Sequence, residues 1–269
     1  MDNLQSLSSA VLDSAKTKVT QKNALHFLTF TFVALSVVIT GHWLYILAVA
    51  AFISEFFSWV VSWSADNKKS LGQELLRLNI LQQAFGSRMS VDIAYLKSKI
   101  TESEYLQAGQ YKQDNYYATA QQNPEKRLVE ILRESCFWSQ HLYQKCSSSA
   151  VLTSAGLLLA IVILTVTGLT LVETDINYSI PRLSLLFLMF FPLWSSIDNA
   201  IKYSSAARKL AGIDQRIGNI GYEPAGILSI FSEYNIVTSG TPLIPQKVYD
   251  REQMKLNSLW NERVRAEEL

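Results

Sequence analysis

Cysteine is scarce in this chain: Cys136 and Cys146 are the two among 269 residues. That excludes a disulfide-stapled secreted scaffold. The pair shows neither a CxxC spacing nor a Cys/His ligand pattern, so both read as free, structurally incidental thiols. Charge is sparse too. Charged side chains make up 17% of the chain, where a soluble domain carries roughly 25%. The composition, 49% hydrophobic with a formal net charge of +1, argues against a disordered tail and a nucleic-acid binder driven by overall charge. Catalytic signatures are missing: the sequence contains no GxxxxGK[ST] loop, GxGxxG, GxSxG, HExxH or EF-hand. The three histidines, His26, His42 and His141, are scattered. Neither an enzyme nor a bound metal or cofactor is expected.

What is abundant is apolar sequence, and it is clustered. Four stretches, 25–39, 43–63, 149–172 and 180–201, are too long and too uncharged for ordinary core helices. At about 1.5 Å per residue the later three cover a hydrocarbon core of roughly 30 Å. The first reaches only roughly 24 Å and needs local thinning of the bilayer or support from neighbours. Thr40, Gly41 and His42 separate the first two as a tight hairpin. Residues 1–24 are mostly polar, and no small-residue cleavage site follows a short apolar core, so no signal peptide is expected. Three Lys and Arg precede the first stretch, 11 lie in 64–148 and 9 in 202–269, while Arg182 stands apart just inside the fourth stretch. The positive-inside rule makes that basic side, with both termini, cytoplasmic. The expected fold is an all-α integral membrane protein. It has four transmembrane helices in two hairpins, 25–63 and 149–201, and a helical cytoplasmic domain from 1–24, 64–148 and 202–269.

The cytoplasmic pattern is helical throughout. Residues 67–85 read as one amphipathic helix stopped by Gly86, 89–100 as another, and 109–122 as a polar loop. Asn123-Pro124-Glu125 is a helix start, and no proline follows until Pro181, which predicts one helix from Pro124 to Val172. Its first half places Leu128, Ile131, Leu132, Trp138 and Leu142 on one arc and Lys126, Glu130, Arg133, Glu134, His141 and Lys145 on the other. Phe137 interrupts the polar arc. The fourth span continues to about Ile217, and helices over 226–237 and 246–265 follow.

Two acids, Glu55 and Asp198, fall within the apolar stretches, where a carboxylate needs a partner, water or a proton. Glu55, Ser58 and Ser62 form part of a small polar stripe on the second stretch, and Ser195 and Asp198 part of another on the fourth. Two readings stand. These residues line a hydrated path, as carboxylate rings do in cation pores. Alternatively they pack helices, with Asp198 paired to Lys202. Pro192 predicts a kink and is a candidate gating hinge. Gly156 and Ala160 have the small-xxx-small spacing of close helix contacts, within or between chains. A single four-helix chain encloses too little space for a wide pore, so a pore requires a homo-oligomer of closed symmetry. A tetramer is the favoured expectation.

Two cytoplasmic stretches carry a family resemblance. One comprises Asn115-Tyr116-Tyr117-Ala118, Pro124-Glu125-Lys126-Arg127-Leu128, Glu134-Ser135-Cys136-Phe137-Trp138-Ser139 and His141-Leu142. The other comprises Glu233-Tyr234-Asn235, Thr241-Pro242-Leu243-Ile244-Pro245, Tyr249 and Leu256-Asn257-Ser258-Leu259-Trp260. With the four apolar stretches they resemble bacterial antiphage effectors encoded beside nucleotidyltransferases: the SMODS-associated four-transmembrane effector family and the channels of Hailong-type systems. The resemblance implies a membrane pore controlled by a nucleotide or oligonucleotide that the partner enzyme makes, and arrest or death of the infected cell when the pore conducts. From the residues themselves, an anionic ligand wants cations and stacking aromatics. Lys126, Arg133, Phe137, His141 and Lys145 are the ligand-binding candidates, and Tyr116 and Tyr117 a second stacking pair. A membrane-anchored scaffold or sensor that binds a partner protein is the alternative. A small transporter is weaker, because inverted repeats are not evident.

Overall fold

The computed structural model describes residues 4–111, 117, 119, 121–171, 176–219 and 222–268, and all their regular structure is helical. Helix α1, Leu4–Val38, contains neither glycine nor proline and runs unbroken through the expected boundary at residue 24. Gly41, at φ +76°, makes the turn into α2, Trp43–Phe85. Here the expected span and the amphipathic helix from residue 67 are one 43-residue rod. The change from apolar to polar sequence alters what surrounds a helix without ending it. Gly86, at φ +58°, stops α2 as predicted and starts a 3₁₀ turn, Gly86–Arg88.

The helix expected over 89–100 is shorter than predicted. Met89 is extended, and α3 spans Ile93–Ser98. Asp92 caps it by accepting the Tyr95 N–H at 3.0 Å. Helix α4, Glu102–Ala108, starts at a capping box between Thr101 and Glu104. A 3₁₀ turn, Gly109–Tyr111, follows. Half of the predicted 109–122 loop, including Tyr116, lies outside the described residues.

Helix α5 is the continuous rod that the Asn123-Pro124 start predicts. It spans Pro124–Leu171, 48 residues or about 72 Å, and Asn123 Oδ1 accepts the Lys126 N–H at 2.9 Å. Val172, Glu173 and Asp175 lie outside the described residues. Helix α6, Ile176–Leu188, begins about a turn earlier than expected and holds Pro181 inside it. So little helix precedes Pro181 that its ring forfeits a single backbone bond. The break ahead of Pro192 falls at Met189, whose N–H turns back to Leu186 O at 3.2 Å. Pro192 has no N–H to offer Leu188, four residues before it. Helix α7 then runs Phe190–Ile217, α8 Pro224–Gly240 and α9 Gln246–Glu268.

The chain divides into two compact units, and the divisions fall inside α1, α2, α5 and α7. One unit comprises Met1–Lys16, Asn67–Ser147 and Ile201–Leu269. Leu4, Leu7 and Val11 of α1 pack there with Leu75, Leu96 and Ala108. Gly72 permits a close approach: a Cβ would stand 2.7 Å from Leu12 Cγ. Ser8 Oγ donates to Gly72 O at 2.9 Å beside it. The predicted apolar arc of α5 is buried through Leu128, Ile131, Leu132 and Leu142.

The other unit comprises Thr17–Asp66 and Ser148–Ala200. Val33, Ala51, Ile161, Leu185 and Leu193 form its core. Its outward faces are apolar: Phe52 is 63% exposed, Leu152 75% and Trp194 72%. Trp43 and Trp63, both exposed on α2, are separated by roughly 30 Å of helix, the spacing of two aromatic interfacial belts. Three helical stretches are long and apolar enough to cross a membrane, within Trp43–Phe85, Pro124–Thr167 and Ile180–Ile217. Helix α1 is not among them.

Candidate functional site

In the apolar unit, polar side chains of α1 and α2 face one another. His26 Nδ1 stands 3.1 Å from Glu55 Oε1, and both side chains are 13% exposed. Thr29 Oγ1 lies 3.3 Å from Glu55 Oε2, and Ser58 Oγ lies 3.3 Å from His26 Nε2. Ser54, one residue before Glu55, donates to Leu25 O at 3.0 Å. The helical spacing of Ser54, Glu55 and Ser58 brings all three onto the α1 side of α2. His26 and Thr29 are the members that sequence reading missed. The stripe on α2 was legible, but nothing in the sequence tied it to a histidine 29 residues earlier.

Ser62, Ser195 and Asp198 are half-buried. Ser195 Oγ accepts from Lys22 Nζ at 3.2 Å. Its neighbour Ser196 accepts from Ser154 Oγ at 2.9 Å and donates to Ala150 O at 3.2 Å, which ties α7 to α5. Pro192 sits in the first turn of α7, just past the Met189 break. Gly156 is exposed, and among the described residues nothing comes within 4 Å of a Cβ placed on it. Among the described residues, Gly156 therefore makes no close helix contact.

The predicted ligand face on α5 is corrected at Phe137. The ring is 6% exposed and packs on Trp260 of α9, with ring centroids 5.3 Å apart. Arg263, also on α9, lies 5.7 Å from the Phe137 centroid and is held by Asp214 at 2.7 Å. The arc is polar by composition, yet an amphipathic helix distant in sequence covers its centre. His141 Nδ1 contacts Phe137 O at 2.7 Å, and Arg133 is half-buried. Lys126 is exposed over the Tyr222 ring. Lys145 is exposed more than five helical turns along α5 from Lys126. These five residues do not converge on one site.

A different site does converge. A cavity of about 410 Å³ lies within the unit that contains the first half of α5. Trp138 and Tyr249 form one wall, with rings 29° from parallel and centroids 6.1 Å apart. Tyr234 and Asn257 also line it, and two cations enter from other helices, Lys16 of α1 and Arg77 of α2. Lys16 Nζ donates to Gln246 Oε1 at 2.6 Å. Burial lowers the Lys16 pKa, and Asp13 and Asp250 offset part of that effect. The Arg77 guanidinium donates to Ser239 Oγ through one terminal nitrogen, while its Nε is buried and, among the described residues, without a partner. Glu134 and Tyr117 complete the polar lining. Two cytoplasmic stretches distant in sequence meet here, through Tyr117, Ser135 and Trp138 on one side and Tyr234, Pro242 and Tyr249 on the other. Helical periodicity could not find the cavity, because five chain segments build it.

Both cysteines are free and buried. Burial raises the pKa of each thiol, which suppresses the nucleophilic thiolate. Among the described residues no group of His, Cys, Asp and Glu could hold a metal ion. No family model, curated protein or solved structure matches the chain.

Proposed function

We propose that the chain is the subunit of a homo-oligomeric membrane channel, an effector of bacterial antiphage defence gated by a nucleotide or oligonucleotide from a partner nucleotidyltransferase. The His26–Glu55 pair carries this reading. It is an ionisable cluster held inside a unit whose outer faces are apolar, and such groups in a membrane commonly mark ion paths. In this reading α1 joins the three longer stretches to make four spans in two hairpins, with both termini cytoplasmic in the inner membrane. Several copies, a tetramer favoured, surround the conduit, and the open Gly156 face of α5 is available for contact between them. Glu55, Ser58, Ser62, Ser195 and Asp198 bias the conduit toward cations. The Met189 break ahead of Pro192 is the hinge, and conduction kills or arrests the infected cell.

The experiment is ion flux through the purified chain in liposomes, with and without the partner enzyme's product. Flux that changes with the product and falls in Glu55→Gln or Asp198→Asn supports the channel. No flux under either condition overturns it.

A second reading has its own observation. Glu55 already has His26 and Thr29 as partners within the chain, as a carboxylate that only packs helices would. A membrane-anchored scaffold then follows, in which Glu55→Gln and Asp198→Asn leave defence intact while disruption of the helices around the cavity abolishes it.

A further inference from the structure

We propose that the outward side of α6 and α7 holds one phospholipid, with its phosphate on Arg182 and an acyl chain in a groove that crosses the Met189 break. The inference needs the apolar unit to lie in a bilayer and takes nothing else from the channel reading.

Arg182 is the one base within the fourth apolar stretch, and a cation placed there needs a counter-group. Among the described residues its guanidinium enters no hydrogen bond, ion pair or ring contact. Its Nε is sealed from the surface, whereas the two terminal nitrogens are not. Those two carry the N–H fork that fits a phosphate. Ile180 and Leu183, on either side of Arg182, are exposed, so the guanidinium borders a face of hydrocarbon.

Five residues further along, a groove of about 380 Å³ opens, lined by Phe187, Phe190, Phe191, Leu193, Trp194 and Ile197. Apart from the Trp194 indole N–H, these side chains are wholly apolar, so an occupant gains by burying hydrocarbon. From Phe187 to Ile197 the helices advance roughly 15 Å. That is half of the roughly 30 Å hydrocarbon core, the depth of one leaflet. Arg182 stands about 7.5 Å beyond the Phe187 end, on the side where a headgroup follows its chains. The order is that of a phospholipid read lengthwise. A second copy of this chain fits less well. Close helix contact in a membrane wants small residues, and this face presents four exposed rings, Phe187, Phe190, Phe191 and Trp194. A free phosphate would leave the groove unfilled. A bound lipid spans the break, with its head on α6 and most of its chain against α7.

The test is native mass spectrometry of the detergent-purified full chain, titrated with dioleoyl phosphatidylglycerol and with dioleoylglycerol, which has the same chains and no phosphate. The tightest phosphatidylglycerol binds about tenfold or more tighter than dioleoylglycerol, as a charge-assisted fork provides. Arg182→Gln removes that preference and leaves dioleoylglycerol unaffected, with Arg182→Lys intermediate. The pair Phe190→Ala and Trp194→Ala weakens both lipids about tenfold, through lost apolar contact. Two controls leave the tightest site unchanged: Phe27→Ala, an exposed ring elsewhere on the unit, and Lys209→Gln, an exposed base of the other unit. Glycerol 3-phosphate, a head without chains, does not compete. Melting curves identify any variant that fails to fold, and Arg182→Lys then decides. No preference for phosphatidylglycerol, a preference that survives Arg182→Gln, an equal loss in either control, or full competition by glycerol 3-phosphate overturns the proposal. Liposome flux is read separately: its absence sinks the channel and spares the lipid site, and an absent lipid site leaves the channel standing.

Discussion

His26 on α1 and Glu55 on α2 are 29 residues apart in sequence and 3.1 Å apart in space. Thr29 and Ser58 complete the group. The pair gives α1 a specific partner in the apolar unit, although its own apolar stretch is short.

The pair should be coupled energetically. His26→Ala and Glu55→Gln are each expected to destabilise the detergent-solubilised chain by about 1–3 kcal/mol, since each strands a largely buried polar partner. The double variant should lose clearly less than the sum. Thermal unfolding of the four proteins measures this, and strict additivity would mean the contact contributes nothing.

Gly72 should tolerate no side chain cheaply. A Cβ there meets Leu12 at 2.7 Å, and the Ser8–Gly72 hydrogen bond sits at the same crossing. Gly72→Val is expected to cost about 1–3 kcal/mol by overpacking. Gly109→Ala, where nothing lies within 4 Å, is the matched control in the same melting experiment.

Acid should release α4. Burial would raise the pKa of Glu104, but hydrogen bonds from Lys68 at 2.8 Å and from Thr101 outweigh it, and the net direction is below the ordinary 4.5. A carboxyl held low in the folded state stabilises above its unfolded pKa, and that contribution disappears as pH falls through the folded value. Melting temperature should therefore drop as pH falls below about 4.5. Glu104→Gln should start lower at neutral pH and show a flatter acid limb.

The two thiols should resist alkylation. Cys136 and Cys146 are buried and their pKa values raised, so iodoacetamide at pH 8 is expected to label neither in the native chain and both in denaturant. Mass spectrometry of timed samples reads the difference. Rapid native labelling would mean that this part of α5 opens readily.

Much of the fold was legible because the signals were local. Asn123-Pro124 starts α5, Gly86 ends α2, and Pro192 marks the Met189 break, each through backbone chemistry within a few residues. No helix ends at residue 24 or 67, where the polarity of the sequence changes, because such a change alters what surrounds a helix without breaking it. Phe137 was assigned to a ligand face by its neighbours on α5, but Trp260, far away in sequence, covers it. The cavity was hidden for the same reason. Trp138 appeared as one more apolar residue on an arc until Tyr249 and Arg77 arrived from elsewhere in the chain.

The unit that holds the cavity is assembled from Met1–Lys16, Asn67–Ser147 and Ile201–Leu269. On a ribosome its first strip of sequence emerges early and must wait for the last. Lys16 and Arg77 are synthesised long before Tyr234 and Tyr249 exist to close the chamber around them. A truncated or stalled product therefore lacks a finished chamber, and the chamber closes only in chains that have reached α9.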